Sequence, residues 1–99
     1  MARKIEWAEQ ALLNLEYIAA FIAKDSPRYA ALTVACIIER IEQAAEFPES
    51  GRRVPEYVAL DLRELFWRDY RIIYRVDAKR VVVVAVVHGR RRLEPPVEP

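Results

Sequence analysis

Residues 62–88 read LRELFWRDYRIIYRVDAKRVVVVAVVH. Three runs rich in β-branched and aromatic residues, 62–67, 70–76 and 81–88, are broken by Arg68-Asp69 and by the turn around Ala78-Lys79. Apolar and charged residues alternate in the first two, and the third is almost wholly aliphatic. Such runs at such spacing are strands joined by tight turns, an antiparallel meander. A loop of either two or four residues at Ala78-Lys79 gives one pairing, with Arg75 opposite Val82 and Arg71 opposite Val86. In that register Leu62, Glu64, Phe66, Arg71, Ile73 and Arg75 share a face with Val82, Val84, Val86 and His88. The opposite face collects Leu65, Trp67, Tyr70, Ile72, Tyr74, Val81, Val83, Ala85 and Val87. It is the more apolar and should lie beneath helices. Arg63 is its misfit, to be placed at the margin or on a bulge.

Upstream the period changes. Ala8, Ala11, Leu12, Leu15, Ile18 and Ile22 recur at helical spacing. Lys24-Asp25-Ser26-Pro27 then punctuates the chain, with Ser26 a natural N-cap and Pro27 suited to the first helical position. The second helix carries Ala30, Val34, Ile37, Ile38, Ile41 and Ala45 on its stripe and ends before Pro48. Lys4 to Trp7 can form a first strand, and FPESGRRVPEY, residues 47–57, is loop by its Pro and Gly content. The order is β-α-α-β-β-β, an α+β domain with a helical hairpin on a mainly antiparallel sheet. It occupies residues 1–93, followed by a Pro-rich tail, 94–99.

Composition narrows the chemistry. Ninety-nine residues suit one domain, and 54% apolar content suits a packed core. One Cys and one His leave neither a disulfide framework nor the usual nitrogen and sulfur zinc ligands, so no metal or cofactor is expected. Acids and an Asn break the apolar positions of the N-terminal segment, so it is not expected to act as a secretory h-region. The aliphatic run 81–87 is far below the ~20 residues of a membrane span, so the expected location is the cytoplasm. Net charge is +1, yet residues 51–99 hold eleven of the sixteen cations, ten of them Arg. Arginine suits bidentate capture of phosphate or carboxylate. The cluster His88-Gly-Arg90-Arg91-Arg92 is either a solvated exit from a buried strand or a place of contact. The face holding Phe66, Ile73, Val84 and Val86 beside Arg71, Arg75 and His88 also lacks an obvious cover in this chain. It asks for a partner.

Several segments together resemble the RelE/ParE superfamily of toxins from bacterial toxin–antitoxin modules, closest to the ParE, or plasmid-stabilisation, branch. They are W-A-x-x-A-x-x-x-L-x-x-I from Trp7 to Ile18, the Ser-Pro helix start, FPESGRRVPEY, LRELFWRDYRIIYRV and VVHGRRRL, spanning Trp7 to Leu93. The resemblance implies a cognate antitoxin, ParD-like or similar, that wraps and silences the toxin. Its partner surface would comprise Phe66, Arg71, Ile73, Arg75, Val84, Val86, His88, Arg90, Arg91 and Arg92. It also implies one of two targets. ParE members poison DNA gyrase without known catalytic chemistry of their own, and RelE members cleave messenger RNA on the ribosome. Nucleic acid would then be met only through the target or the antitoxin complex.

Messenger cleavage by a neighbouring 2′-hydroxyl needs a base, a cation and an acid. Arg71 and Arg91 match arginines of the RelE kind. The positions of that kind's paired lysines hold Leu62 and Glu64, and that of its tail tyrosine holds Val97. His88 could titrate in the right range, but histidine-using relatives place theirs where this chain has Gly89. The ParE reading therefore leads. A ribonuclease using Arg71, His88 and Arg91 is the alternative, and a decayed toxin that only binds antitoxin and represses its operon is the third.

Overall fold

A computed structural model describes residues 2–57 and 59–89. The chain runs β1 (Lys4–Trp7), α1 (Glu9–Ala23), α2 (Pro27–Glu46), a 3-10 turn (Pro48–Ser50) and β2 (Arg52–Arg53). A second 3-10 turn (Pro55–Tyr57), β3 (Leu62–Trp67), β4 (Tyr70–Val76) and β5 (Arg80–His88) complete it. The sheet order is β1-β5-β4-β3-β2, antiparallel except for the β1–β5 pair. The expected α+β architecture is the observed one. β2 is an addition, because two residues are too few to show any period.

The helical hairpin starts as its sequence dictates. The Ser26 hydroxyl accepts the Tyr29 N–H at 3.0 Å, and Pro27 occupies the first turn, where its missing N–H costs nothing. Ser26→Ala should lower stability by about 1 kcal/mol in urea denaturation, while Ser26→Asp should be nearly neutral. The buried helical residues are Ala11 and Ile18 of α1, with Ala30, Thr33, Ile37, Ile41, Ala44 and Ala45 of α2. Leu12 and Ile38, assigned above to the inner stripes, are instead exposed. The helices bury a narrower strip than the apolar count suggests.

Two apolar layers sandwich the sheet. On the helix side Ile18, Ile37 and Ile41 meet Leu65, Ile72, Tyr74, Val81, Val83 and Val86. On the far side Val54 covers Leu62, Ile73, Val82, Val84 and Ala85, with Tyr57 and Leu60 packed at its edge. A strap of this chain, residues 52–57 and 59–61, therefore covers the face read above as uncovered. Its Pro and Gly content marked it as loop but carried no sign of where it would lie.

β4 and β5 also depart from the expected register. Arg75 faces Val82 as expected, but an irregularity between Ile73 and Tyr74 sets Ile73 opposite Ala85 and Tyr74 opposite Val83. Val84 is the extra residue of a bulge, which reverses the facing of everything after it. Arg71 consequently faces Val87 rather than Val86, and His88 faces Tyr70. Ala85 and Val87 move to the strap side, while Val86 moves to the helix side. Nothing in an unbroken valine run marks where an extra residue is accommodated. β1 pairs with β5 only as far as Val83. Beyond it the Asn14 side-chain carbonyl of α1 accepts the Val86 N–H at 3.1 Å, which satisfies the exposed edge. Arg63 sits at the sheet margin, where its guanidinium donates to the Gly51 carbonyl at 2.8 Å.

Candidate functional site

The bulge separates the residues that the sequence reading had put together. Arg71 lies on the strap side of the sheet and His88 on the helix side.

On the strap side, Arg71 is only 5% exposed. Its two terminal nitrogens donate to both Glu56 oxygens at 2.7 and 2.8 Å, and its Nε donates to Glu64 at 2.7 Å. The second Glu64 oxygen accepts from Arg52 Nε at 2.6 Å. Glu64 is buried, so its charge is tolerable only because two guanidiniums meet it. The fork to Glu56 is the largest influence on Arg71 and raises its pKa above the already high arginine value. Each nitrogen of the Arg71 guanidinium is thus engaged by an acid of its own chain.

The neighbouring arginines repeat this pattern. Arg53 pairs with Asp61, Arg75 approaches Asp77 at 3.7 Å, and Arg80 bridges Glu6 and Asp77 at 2.8 Å each. Arg68 stacks over Trp67, and Arg52 lies over the Phe66 ring as well as on Glu64. Among the described arginines of this half, then, most are engaged by carboxylates, carbonyls and rings of the fold.

The helix side is different. A cleft of about 250 Å³ opens where the sheet end meets α1, lined by Asn14, Tyr17, Ile18, Phe21, Tyr70 and the 86–88 segment. The exposed His88 ring meets Tyr70 edge-on, with centroids 5.8 Å apart. Burial, followed by the nearby Tyr29 and Asp69, raises the Tyr70 pKa, so its phenol stays protonated. Gly89 follows because its N–H closes onto the Asp69 carbonyl of the β3–β4 turn. A Cβ there would stand 2.8 Å from that carbonyl oxygen.

Of the other residues proposed for partner contact, Phe66 and His88 are exposed and Arg75 is half-buried. Ile73 and Val84 are sealed on the strap side, and Val86 is sealed under α1. Arg90, Arg91 and Arg92 lie outside the described residues, as does the 94–99 tail. Sequence reasoning missed Glu56 and Glu64 as partners of Arg71. An acid on an otherwise apolar strand face was the available signal, since a buried carboxylate requires a cation opposite it.

No helix among the described residues is long and apolar enough to cross a membrane, and none of their His, Cys, Asp and Glu groups could hold a metal ion.

A family model described as the ParE toxin of the type II toxin–antitoxin system parDE matches residues 5–93. A Sinorhizobium fredii protein described as a candidate toxin, Y4kP, is 39% identical over 95 residues, covering 93% of this chain and 95% of its own. The fold resembles that of a chain from the chromosomal ParDE system of P. aeruginosa. The TM-score is 0.72 at 19% identity, over 88% of this chain and 96% of that one. A chain of the Mycobacterium tuberculosis RelBE2 complex gives 0.62 at 20% identity, over 89% and 99%. The free, doubly substituted RelE toxin of E. coli gives 0.64 at 18% identity, over 91% and 86%.

Proposed function

We propose, because this chain belongs to the family of ParE toxins of type II toxin–antitoxin systems, that it arrests growth by inhibiting DNA gyrase. It would act in the cytoplasm, without catalytic chemistry of its own, and be neutralised by a cognate ParD-like antitoxin. The observation that carries this reading is the occupation of Arg71. A ribonuclease needs a cation open to the developing phosphorane charge. Here that guanidinium is buried and held by Glu56 and Glu64, with His88 across the sheet. The ParDE and RelBE systems among the structural neighbours support an antitoxin partner. Its contacts would fall on Phe66, Arg75, His88 and the 90–92 cluster, with Arg71, Ile73, Val84 and Val86 acting from beneath.

The test is expression without antitoxin, followed by two assays: covalent gyrase–DNA adducts and mapping of new messenger 5′ ends. Adducts without new ends are expected. His88→Ala should leave growth inhibition within a few-fold of the parent, whereas loss of a general acid or base costs about 10²–10⁴-fold. New 5′ ends that disappear with His88→Ala in a folded protein would replace this reading with the ribonuclease. Unimpaired growth at full expression would leave only antitoxin binding and operon co-repression.

A further inference from the structure

Arg68 holds a backbone conformation that glycine usually supplies. Trp67 faces Tyr70 across β3 and β4, which leaves Arg68-Asp69 as a two-residue hairpin loop. Arg68 has a φ of 50°, and Asp69 does not share its positive sign. Positive φ at the first central residue alone is the type II′ pattern, where glycine is the usual occupant. The Gly89 N–H, bonded to the Asp69 carbonyl, helps to hold the loop in this shape. Strain maintained by its surroundings at an exposed position points to a use for the side chain it presents.

That side chain is exposed, with its guanidinium carbon 5.1 Å from the Trp67 ring centroid. Two further arginines converge on the preceding residue. Arg52 of β2 stands 5.3 Å from the Phe66 ring centroid, and Arg40 of α2 donates through Nε to the Phe66 carbonyl at 2.8 Å. Three elements thus bring three guanidiniums onto two consecutive residues at the end of β3. Glu64 balances Arg52, but among the described residues neither Arg40 nor Arg68 meets a carboxylate. The second contact of Arg40 is the neutral Gln43 side chain, and Cys36, Ile37 and Ala44, one helical turn away, carry no charge.

We infer that this end of the sheet, built on Arg40, Arg52 and Arg68, is a contact surface for the phosphate backbone of duplex DNA. A guanidinium laid against a ring is pre-ordered, and its in-plane donors suit bidentate capture of phosphate. Each ring already carries a guanidinium, so unstacked bases find little face to lie on and a single strand fits less well. Duplex DNA carries one charge per about 1.7 Å of its axis, dense enough to meet clustered cations. Carboxylates on one face of an extended peptide recur only every ~7 Å, so an acidic protein segment matches the cluster less closely. The inference goes beyond the gyrase reading, because it concerns DNA met directly with no gyrase present.

Titration of a short labelled DNA duplex with the purified full chain, read by anisotropy at several salt concentrations, tests it. Binding that weakens steeply with salt is expected. Arg40→Gln and Arg68→Gln should each weaken it several-fold and flatten the salt slope by about 1, one phosphate contact apiece. Lys79→Gln, at the opposite end of β4, should leave it unchanged. Arg68→Gly separates use from fold. It should melt about 4 °C or more above the parent as strain is released, yet bind DNA as weakly as Arg68→Gln. A parent that binds no duplex, an Arg68→Gly chain that melts below the parent, or an equal loss with Lys79→Gln would each overturn the inference. So would tighter binding to single-stranded RNA of the same length. If the duplex is not bound but affinity for co-purified antitoxin falls with Arg68→Gly, the inference fails and the cluster belongs to that partner.

Discussion

Arg71→Ala is expected to destabilise the protein by about 3–5 kcal/mol, the usual cost of removing one partner from a buried ion pair. The damage lies in what remains. Glu64 stays buried with only Arg52 to meet it, and that arginine approaches from a largely exposed position. Glu56 loses both bonds that hold the strap over Ile73 and Val84. Total stabilities of such domains are roughly 5–15 kcal/mol, so a parent at the low end would be unfolded by this change. Otherwise its melting temperature should fall by well over 10 °C, since each kcal/mol is worth about 4–8 °C at this size.

A combined variant distinguishes burial cost from lost attraction. Arg71→Met with Glu64→Leu and Glu56→Gln removes every charge that would be stranded while keeping side-chain volume. Apolar replacement of whole buried networks is often neutral or stabilising, so this triple variant should recover most of the loss. If Arg71→Ala melts with the parent, the guanidinium is not buried between two acids. Arg71 would then be open to a scissile phosphate. Stability and function meet at this residue: an arginine that the fold requires is not available to a scissile phosphate.

Much of this architecture was legible because its signals are local. Ser26-Pro27 encodes a helix start through one hydroxyl and one missing N–H. The boundaries of β3 and β4 follow from alternation cut by Arg68-Asp69. What the sequence concealed is non-local. The bulge at Val84 depends on how β5 is held by β4 on one side and by β1 and Asn14 on the other, and consecutive valines look alike in either register. The strap over the second face is recognisable only when Glu56 finds Arg71, fifteen residues away. The grouping of Arg71 with His88 failed for the first reason, and the expectation of an uncovered face failed for the second. Leu12 and Ile38 were visible as apolar content, but counting apolar residues does not say which side of a helix faces its own core.

Gly51→Ala should also be clearly destabilising, although Gly51 has an ordinary extended backbone that any residue can adopt. The reason is space. An added Cβ would overlap the Tyr74 hydroxyl and stand 2.7 Å from the Glu64 backbone oxygen. Tyr74 is completely buried and cannot swing aside. Its hydroxyl accepts the Gly51 N–H at 3.0 Å and donates to the Pro48 carbonyl at 2.8 Å. Alanine lowers the entropy of the unfolded chain, a gain of about 0.4–1 kcal/mol. Overpacking a closed site costs about 1–3 kcal/mol, and here a backbone carbonyl and a fixed ring both obstruct. The cost wins, and a net loss of about 2 kcal/mol is expected in denaturant titration. Tyr74→Phe alone should cost about 1–3 kcal/mol by leaving the Gly51 N–H and Pro48 carbonyl unpaired. The double variant should cost clearly less than the two losses added, because removing the hydroxyl clears the worst contact. It should not return to parent stability, because the Glu64 oxygen remains in the way. Additive losses would mean that Tyr74 and the 48–51 turn do not touch. The turn would then not be what fixes β2 against β3 and brings Arg52 to Glu64.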